Sequence, residues 1–188
     1  MTNFDYWYWE KILDKNEIVS INNFIDNNFD CFEDIKDKPK DTQGNPKKNS
    51  QVKKISLNKL NNLILPTLEQ AYATAFVKFG YNLYPRNINN SFLLNTYSET
   101  NQSKFDYHID SSRSNTFDVK LTFIINLSLQ EFQGGKFMIF NGSEYEIEGF
   151  VKPGSAILFK SYLSHKVTPI IKGERKTLSY FMYGPKFI

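Results

Sequence analysis

The chain has 188 residues, 40% hydrophobic and 23% charged, with a formal net charge of +3, the profile of an ordinary globular protein long enough for one sizeable core and short for two. So small a charge gives no case for nucleic acid or a membrane surface as an obligatory partner, and no apolar run approaches the roughly 18 residues a bilayer span requires. The single cysteine, Cys31, excludes an internal disulfide and reads as a small buried hydrophobe in a reducing compartment.

The N-terminus carries Trp7, Tyr8 and Trp9 but no basic start followed by an apolar run, so it does not read as a signal peptide. A cytoplasmic protein is expected. Glu17 to Phe29 places Ile18, Ile21, Phe24, Ile25 and Phe29 at helical spacing. Ile35 to Lys54 is polar and reads as a solvated, mobile loop. Its basic cluster (Lys47, Lys48, Lys53, Lys54) is explained by solvent more simply than by a polyanion. Leu57 to Phe79 returns to helical spacing through Leu60, Leu63, Ile64, Leu68, Ala71, Tyr72, Ala75 and Phe76, with Pro66 marking a break, a kink or a new first turn.

After Ile88 the character changes. Short aromatic and β-branched runs (Phe92–Tyr97, Lys104–Ile109, Val119–Leu127, Lys136–Phe140, Tyr145–Ile147, Ala156–Phe159, His165–Ile170, Thr177–Tyr183) alternate with Gly134–Gly135, Asn141–Gly142, Pro153–Gly154 and Lys172–Gly173. Eight such strands without an intervening helix predict an antiparallel double sheet, a jelly roll or double-stranded β-helix. The fold class is therefore α+β: residues 1–87 form mainly helical support, with an aromatic strand before the first helix and a mobile loop near 35–54, residues 88–188 form the jelly roll, and the whole is one domain.

The chain has two histidines. In Tyr107-His108-Ile109-Asp110 the imidazole and the carboxylate project to the same side of an extended segment. Taken alone, His-x-Asp is more often an exposed pair than a metal site. The other histidine, His165, could supply a third ligand if its strand lies beside the first. Two His and one carboxylate on one face of a metal is the triad of non-haem Fe(II) oxygenases. The helical His-Glu-x-x-His of zinc hydrolases is absent. Arg175 opens the strand after the Lys172–Glu174 turn and, pointing inward, could hold a carboxylate in its fork, with Thr177 on the same face. Alone, it would read as a solvated turn arginine.

In order along Phe92–Tyr183 stand Tyr97, the His108-x-Asp110 pair, Lys120-Leu-Thr-Phe-Ile-Ile-Asn-Leu127, Phe132-Gln-Gly-Gly-Lys-Phe137, Lys152-Pro-Gly-Ser-Ala-Ile-Leu-Phe159, Ser164-His-Lys-Val-Thr-Pro169 and Lys172-Gly-Glu-Arg-Lys-Thr177. Together they resemble the prolyl 4-hydroxylase-like branch of the Fe(II)/2-oxoglutarate oxygenase superfamily. The resemblance implies iron at His108, Asp110 and His165, and 2-oxoglutarate at Arg175, Tyr97, Thr177 and Asn126. It also implies O2 as co-substrate, with ascorbate as an optional reductant. Lys120 departs from the arginine common in such proteins, and Asn126 from a tyrosine that some relatives place against the co-substrate. The implied reaction is hydroxylation of a C–H bond, with a prolyl residue of a protein or peptide as substrate and free amino acids or other small molecules as alternatives. Asp110–Asp118 reads as a substrate-facing loop in which Arg113 could contact substrate, although a solvated loop arginine is the simpler explanation. The second downstream arginine of nucleobase-repair relatives has no counterpart after Arg175. A jelly-roll protein that binds metal or carbohydrate without turnover is the rival reading. The Asn- and Lys-rich composition suits an AT-rich genome, a viral one among them.

Overall fold

The computed structural model describes residues 4–87, 90–111 and 114–187. In chain order it forms β1 (Tyr6–Trp9), α1 (Lys15–Asn27), β2 (Glu33–Asp34), β3 (Gln51–Ser56), α2 (Leu57–Thr74), β4 (Ser91–Ser98), β5 (Phe105–His108), β6 (Phe117–Asn126) and β7 (Gln133–Gly134). There follow β8 (Phe137–Asn141), β9 (Ser143–Glu146), β10 (Ala156–Lys160), β11 (Ser164–Val167), β12 (Ile170–Lys172) and β13 (Glu174–Pro185). A seven-stranded sheet in the order β1-β10-β6-β13-β4-β3-β2 faces a four-stranded sheet in the order β5-β11-β8-β9.

Alternation along the large sheet sorts side chains into two cores. On β6, Leu121, Phe123 and Ile125 turn outward to the helices, as do Leu178, Tyr180 and Met182 on β13; Ile18, Ile21, Leu60, Ile64 and Leu68 complete that layer. Ile124, Ile157 and Phe159 turn inward to meet Phe137, Ile139 and Val167 of the small sheet. A jelly roll with helices covering one face is thus what the strand pattern predicted.

Helix α1 begins with a capping box. The Asp14 carboxylate accepts from Glu17 N at 2.9 Å, and the Glu17 carboxylate accepts from Asp14 N at 2.7 Å. Asn22 then donates to the Leu127 carbonyl at 2.9 Å, fixing the helix to the end of β6. Helix α2 continues past Pro66 rather than breaking there. Burial of Leu60, Ile64, Leu68 and Ala71 along one face offsets the missing backbone donor. Among the described residues no helix is long and apolar enough to cross a membrane.

Three expectations are corrected. The N-terminal half contributes more strand than the aromatic segment before α1 alone, since β2 and β3 join β1 in extending the large sheet, at its opposite edge. The polar stretch 35–54 is not a free loop: it ends in β3, Lys47 N donates to Pro39 O at 2.8 Å, and Asp106 N donates to Lys47 O at 2.8 Å. At its tip the Asp41 carboxylate gathers Gln43 N, Asn45 N and the Asn45 side chain, an Asx turn that closes the excursion. Cys31 is exposed, in the short 3-10 turn after α1, because that turn faces outward.

Candidate active site

Strands β5 and β11 pair so that His108 lies opposite His165, which brings together two residues far apart in the chain. The ring centroids are 4.1 Å apart. His108 Nδ1 lies 2.9 Å from the Asp106 carbonyl oxygen, and His165 Nδ1 lies 2.9 Å from that of Leu163. A carbonyl oxygen only accepts, so both Nδ1 atoms carry a proton, which leaves Nε2 as the ligating atom of each ring. Those Nε2 atoms turn toward one carboxylate: His108 Nε2 is 3.6 Å from Asp110 Oδ1, and His165 Nε2 is 3.5 Å from Asp110 Oδ2. The three candidate ligand atoms all fall within 4.8 Å of one another.

Each ligand is held from behind. Phe105 stacks on the His108 ring at a centroid distance of 3.4 Å, and Phe159 meets the His165 ring edge-on at 4.7 Å. Asp110 N donates to Ser161 O at 2.9 Å, and the Thr122 hydroxyl donates to Asp110 Oδ2 at 2.7 Å. Burial and the neighbouring His165 ring push His108 down to about 2, so its ring is neutral near neutral pH. Two imidazoles that donate from Nδ1 and turn Nε2 toward one carboxylate are the donor set a divalent iron requires, and the outer partners are the kind that orient metal ligands.

The triad opens into a cavity of about 450 Å³ between the sheets. On β13 the inward-facing residues Arg175, Thr177, Ser179 and Phe181 line it in sequence, with Tyr97 and Asn95 beside them on β4. Arg175 is only 2% exposed, and neither its Nε nor its Nη2 has a hydrogen-bond partner. Its guanidinium carbon lies 5.5 Å from the Tyr97 ring centre and 5.2 Å from that of Phe150. Burial lowers its pKa to about 10, still far above neutral. A buried cation with idle donors is costly unless an anion completes it. Burial likewise raises the Tyr97 phenol to about 12, leaving it a neutral donor.

Arg175, Tyr97 and Thr177 thus share the triad's cavity. Asn126 does not line it. Its amide donates to Phe150 O at 3.3 Å and Lys152 O at 3.1 Å, and its Oδ1 accepts from Ser128 N at 3.0 Å. The carbonyls of Phe150, in the 3-10 turn Glu148–Val151, and of Lys152 take up the amide, so Asn126 is corrected to a structural residue. Lys120 sits under the Phe187 ring, outside the cavity. Ile109, Asp110 and Ser111 line the cavity, whereas Arg113 lies outside the described residues. Thr122, Asn95 and Ser179 are cavity residues that the sequence did not single out, and Lys48, read there as one of a solvated basic cluster, is instead buried in the lining.

A profile of the 2OG-Fe(II) oxygenase superfamily matches residues 92–183, a stretch that contains the triad and the arginine. Residues 92–183 thus carry the sequence signature of that superfamily. A PKHD-type hydroxylase of Synechococcus sp. strain CC9605 is 33% identical over 72 residues, 38% of this chain and 32% of that protein, so the match spans about a third of the curated relative. A prolyl-4-hydroxylase of Pseudomonas putida superposes with a TM-score of 0.70 at 14% identity over 95% of this chain and 91% of that one. A Trichoplax adhaerens prolyl hydroxylase, solved with a hypoxia-inducible-factor peptide, gives 0.70 at 12% over 97% and 84%. These superpositions show the fold. Fe(II) and 2-oxoglutarate are the superfamily's cofactor and co-substrate, and the donor set and the idle arginine fit both.

Proposed function

We propose that the protein is an Fe(II)- and 2-oxoglutarate-dependent dioxygenase that hydroxylates a C–H bond, with a prolyl residue of a protein or peptide as its substrate. The observation that carries this reading is the Arg175 guanidinium, buried with idle donors in the cavity onto which the His108, Asp110 and His165 ligand atoms converge. A structural metal site has no use for such an arginine.

In this reading the three ligands hold Fe(II), and Arg175, with the Thr177 hydroxyl and the Tyr97 phenol, holds the far carboxylate of 2-oxoglutarate. Bound Fe(II) and 2-oxoglutarate supply the O2-dependent oxidation, in which 2-oxoglutarate becomes succinate and CO2 while C–H becomes C–OH. The chain's own part is placement. Nδ1–H donation to Leu163 and Asp106 carbonyls fixes both imidazoles, and the Thr122 hydroxyl fixes one carboxylate oxygen of Asp110. Ile124, Phe137 and Val167 exclude water from the inner cavity. Phe105 and Phe181 offer apolar walls that suit a pyrrolidine ring, and a neighbouring fold was solved with a peptide bound.

Anaerobic titration of 2-oxoglutarate into Fe(II)-loaded protein tests the reading through the visible charge-transfer band of an iron-bound 2-oxo acid. A saturable band that weakens in Arg175→Ala and vanishes in Asp110→Ala is expected. Its absence from folded wild-type protein shown to hold iron would sink the oxygenase assignment. Given the band, succinate release that depends on proline-containing peptides is the test of the substrate class.

A further inference from the structure

Lys48 is only 7% exposed, yet it belongs to the cavity that contains the triad. Its Nζ donates to Asn95 Oδ1 at 2.6 Å and lies 4.6 Å from the centre of the Phe105 ring, which itself stacks on His108. The position is built rather than accidental. A bridge between Lys48 and Phe105 fixes the backbone, and Asn49 locks the next residue by donating to Asn101 O at 2.9 Å and accepting from Lys104 N at 2.7 Å. Asn95 is held with its oxygen toward the lysine, because its Nδ2 already donates to Leu93 O at 3.0 Å and Ser179 Oγ at 3.1 Å.

An ammonium has three donors, and the neutral Asn95 oxygen occupies one of them. The buried Lys53 and Lys160 each pair with a carboxylate, Asp34 at 3.3 Å and Asp5 at 3.0 Å. Among the described residues no carboxylate stands within 4.0 Å of Lys48. A buried cation left so incomplete is costly unless a ligand supplies the anion. The surrounding charge points the same way. Once His108, Asp110 and His165 are committed to iron and Arg175 to 2-oxoglutarate, the charged side chains left in the described lining are Lys38, Lys40, Lys47 and Lys48 against Asp37 alone, with Tyr97 a neutral phenol.

We infer that Lys48, positioned by Asn95, binds a carboxylate of the primary substrate, so that the pocket takes an acidic substrate whose carboxylate lies close to the C–H bond that is oxidised. This rests on the dioxygenase reading above. It narrows the substrate from any prolyl residue to one beside a carboxylate, either the α-carboxylate of a free or C-terminal residue or the side chain of an adjoining acidic residue. Lys48 is then a specificity residue, separate from the arginine that holds 2-oxoglutarate. Both cations are needed because the reaction brings two anions into one cavity.

The test uses full-length protein loaded with Mn(II), which holds the ligands without turnover, and 2-oxoglutarate. Calorimetry measures the affinity of L-proline against L-prolinamide, and of N-acetyl-Pro-Glu-amide against N-acetyl-Pro-Gln-amide. One acid should bind at least about tenfold more tightly than its amide, the lower end of what a buried ion pair confers. Which pair shows the preference identifies the source of the carboxylate. The preference should vanish in Lys48→Met and return in part in Lys48→Arg, with 2-oxoglutarate affinity unchanged in both. Equal affinity of acid and amide in the wild type, including failure of all four to bind, overturns the inference. So does a preference that survives in a folded Lys48→Met protein. Loss of 2-oxoglutarate affinity in Lys48→Met would overturn it by placing Lys48 in the co-substrate clamp. If wild-type Mn(II) protein does not bind 2-oxoglutarate at all, the dioxygenase reading itself has failed, a result separate from the others.

Discussion

At the scale of single residues, the site is a set of buried groups whose valences the fold leaves incomplete. Two cations in one cavity, Arg175 and Lys48, are far costlier to bury than apolar side chains of the same length. For Lys48 the cost has a pH signature. In the metal-free protein, burial lowers its pKa from 10.5 to about 7, with Asp110 opposing the shift and Lys38 adding to it. Below about pH 7 folded and unfolded chains both hold the proton, and the penalty is full. Between there and ~10.4 only the unfolded chain holds it, so stability rises with pH across that window. Lys48→Met should therefore raise the Tm of metal-free protein near neutral pH by a few degrees, at ~2–4 °C per kcal/mol for a chain of this size. The gain should shrink as pH climbs toward ~10. Thermal melts across that range check it, and a variant no more stable than wild type at neutral pH would show that Lys48 is not under strain. Arg175→Met should likewise leave the fold intact while weakening 2-oxoglutarate binding by ~30-fold or more, because it removes a charged, hydrogen-bonded partner worth ~2–5 kcal/mol.

At the scale of elements, the turns decide where the arginine sits. Gly134 and Gly135 both adopt positive φ, +78° and +60°. A Cβ on Gly135 would stand 2.5 Å from Ile170 Cδ1 and 3.1 Å from Arg175 Cδ, so this glycine makes room for the arginine stem. Gly142 also has positive φ, +78°, but a Cβ there would meet nothing within 4 Å. Gly142→Ala should cost ~1–2 kcal/mol of backbone strain and leave 2-oxoglutarate affinity alone. Gly135→Ala should add ~1–3 kcal/mol of overpacking and weaken 2-oxoglutarate binding as well. Equal loss of affinity in the two variants would separate the turn from the arginine. The Gly-Gly pair was legible in the sequence, and so were β4, β6, β10 and β13, because each alternates between a helix-facing and a cavity-facing set. The stretch 35–54 was not. Its apolar content is almost nil, and its order comes from backbone bonds to Lys104 and Asp106 and from one Asx turn, which leave no periodic trace. Lys48 was hidden for the same reason, since local composition cannot distinguish a lysine in solvent from one beneath a sheet edge. Asn126 misled in the opposite way. Parity aims it inward with Thr122 and Ile124, but the Phe150 and Lys152 carbonyls take up its amide.

At the scale of the molecule, the two kinds of ligand sit on different sheets. His108 and His165 belong to strands of the small sheet, with Asp110 just beyond β5, while Arg175 and Thr177 ride on the large one. A metal carried by the first and a 2-oxo acid chelating that metal while reaching the second would tie the sheets together across the cavity. Binding stabilises a folded protein by RT ln(1 + [L]/Kd), which is ~2.7 kcal/mol at a hundredfold excess over Kd. At ~2–4 °C per kcal/mol this amounts to roughly 5–10 °C for each ligand. Mn(II) alone should raise the Tm by about that amount, and 2-oxoglutarate should add a comparable step only when the metal is present, because in this reading it would be held jointly by the metal and Arg175. His165→Ala should abolish both increments, whereas Arg175→Met should keep the metal's and lose the second. Scanning calorimetry of the three proteins, with each ligand alone and then both, distinguishes this cross-bridge from two independent sites. Independent sites would give a 2-oxoglutarate increment that is the same with and without metal and that survives in His165→Ala.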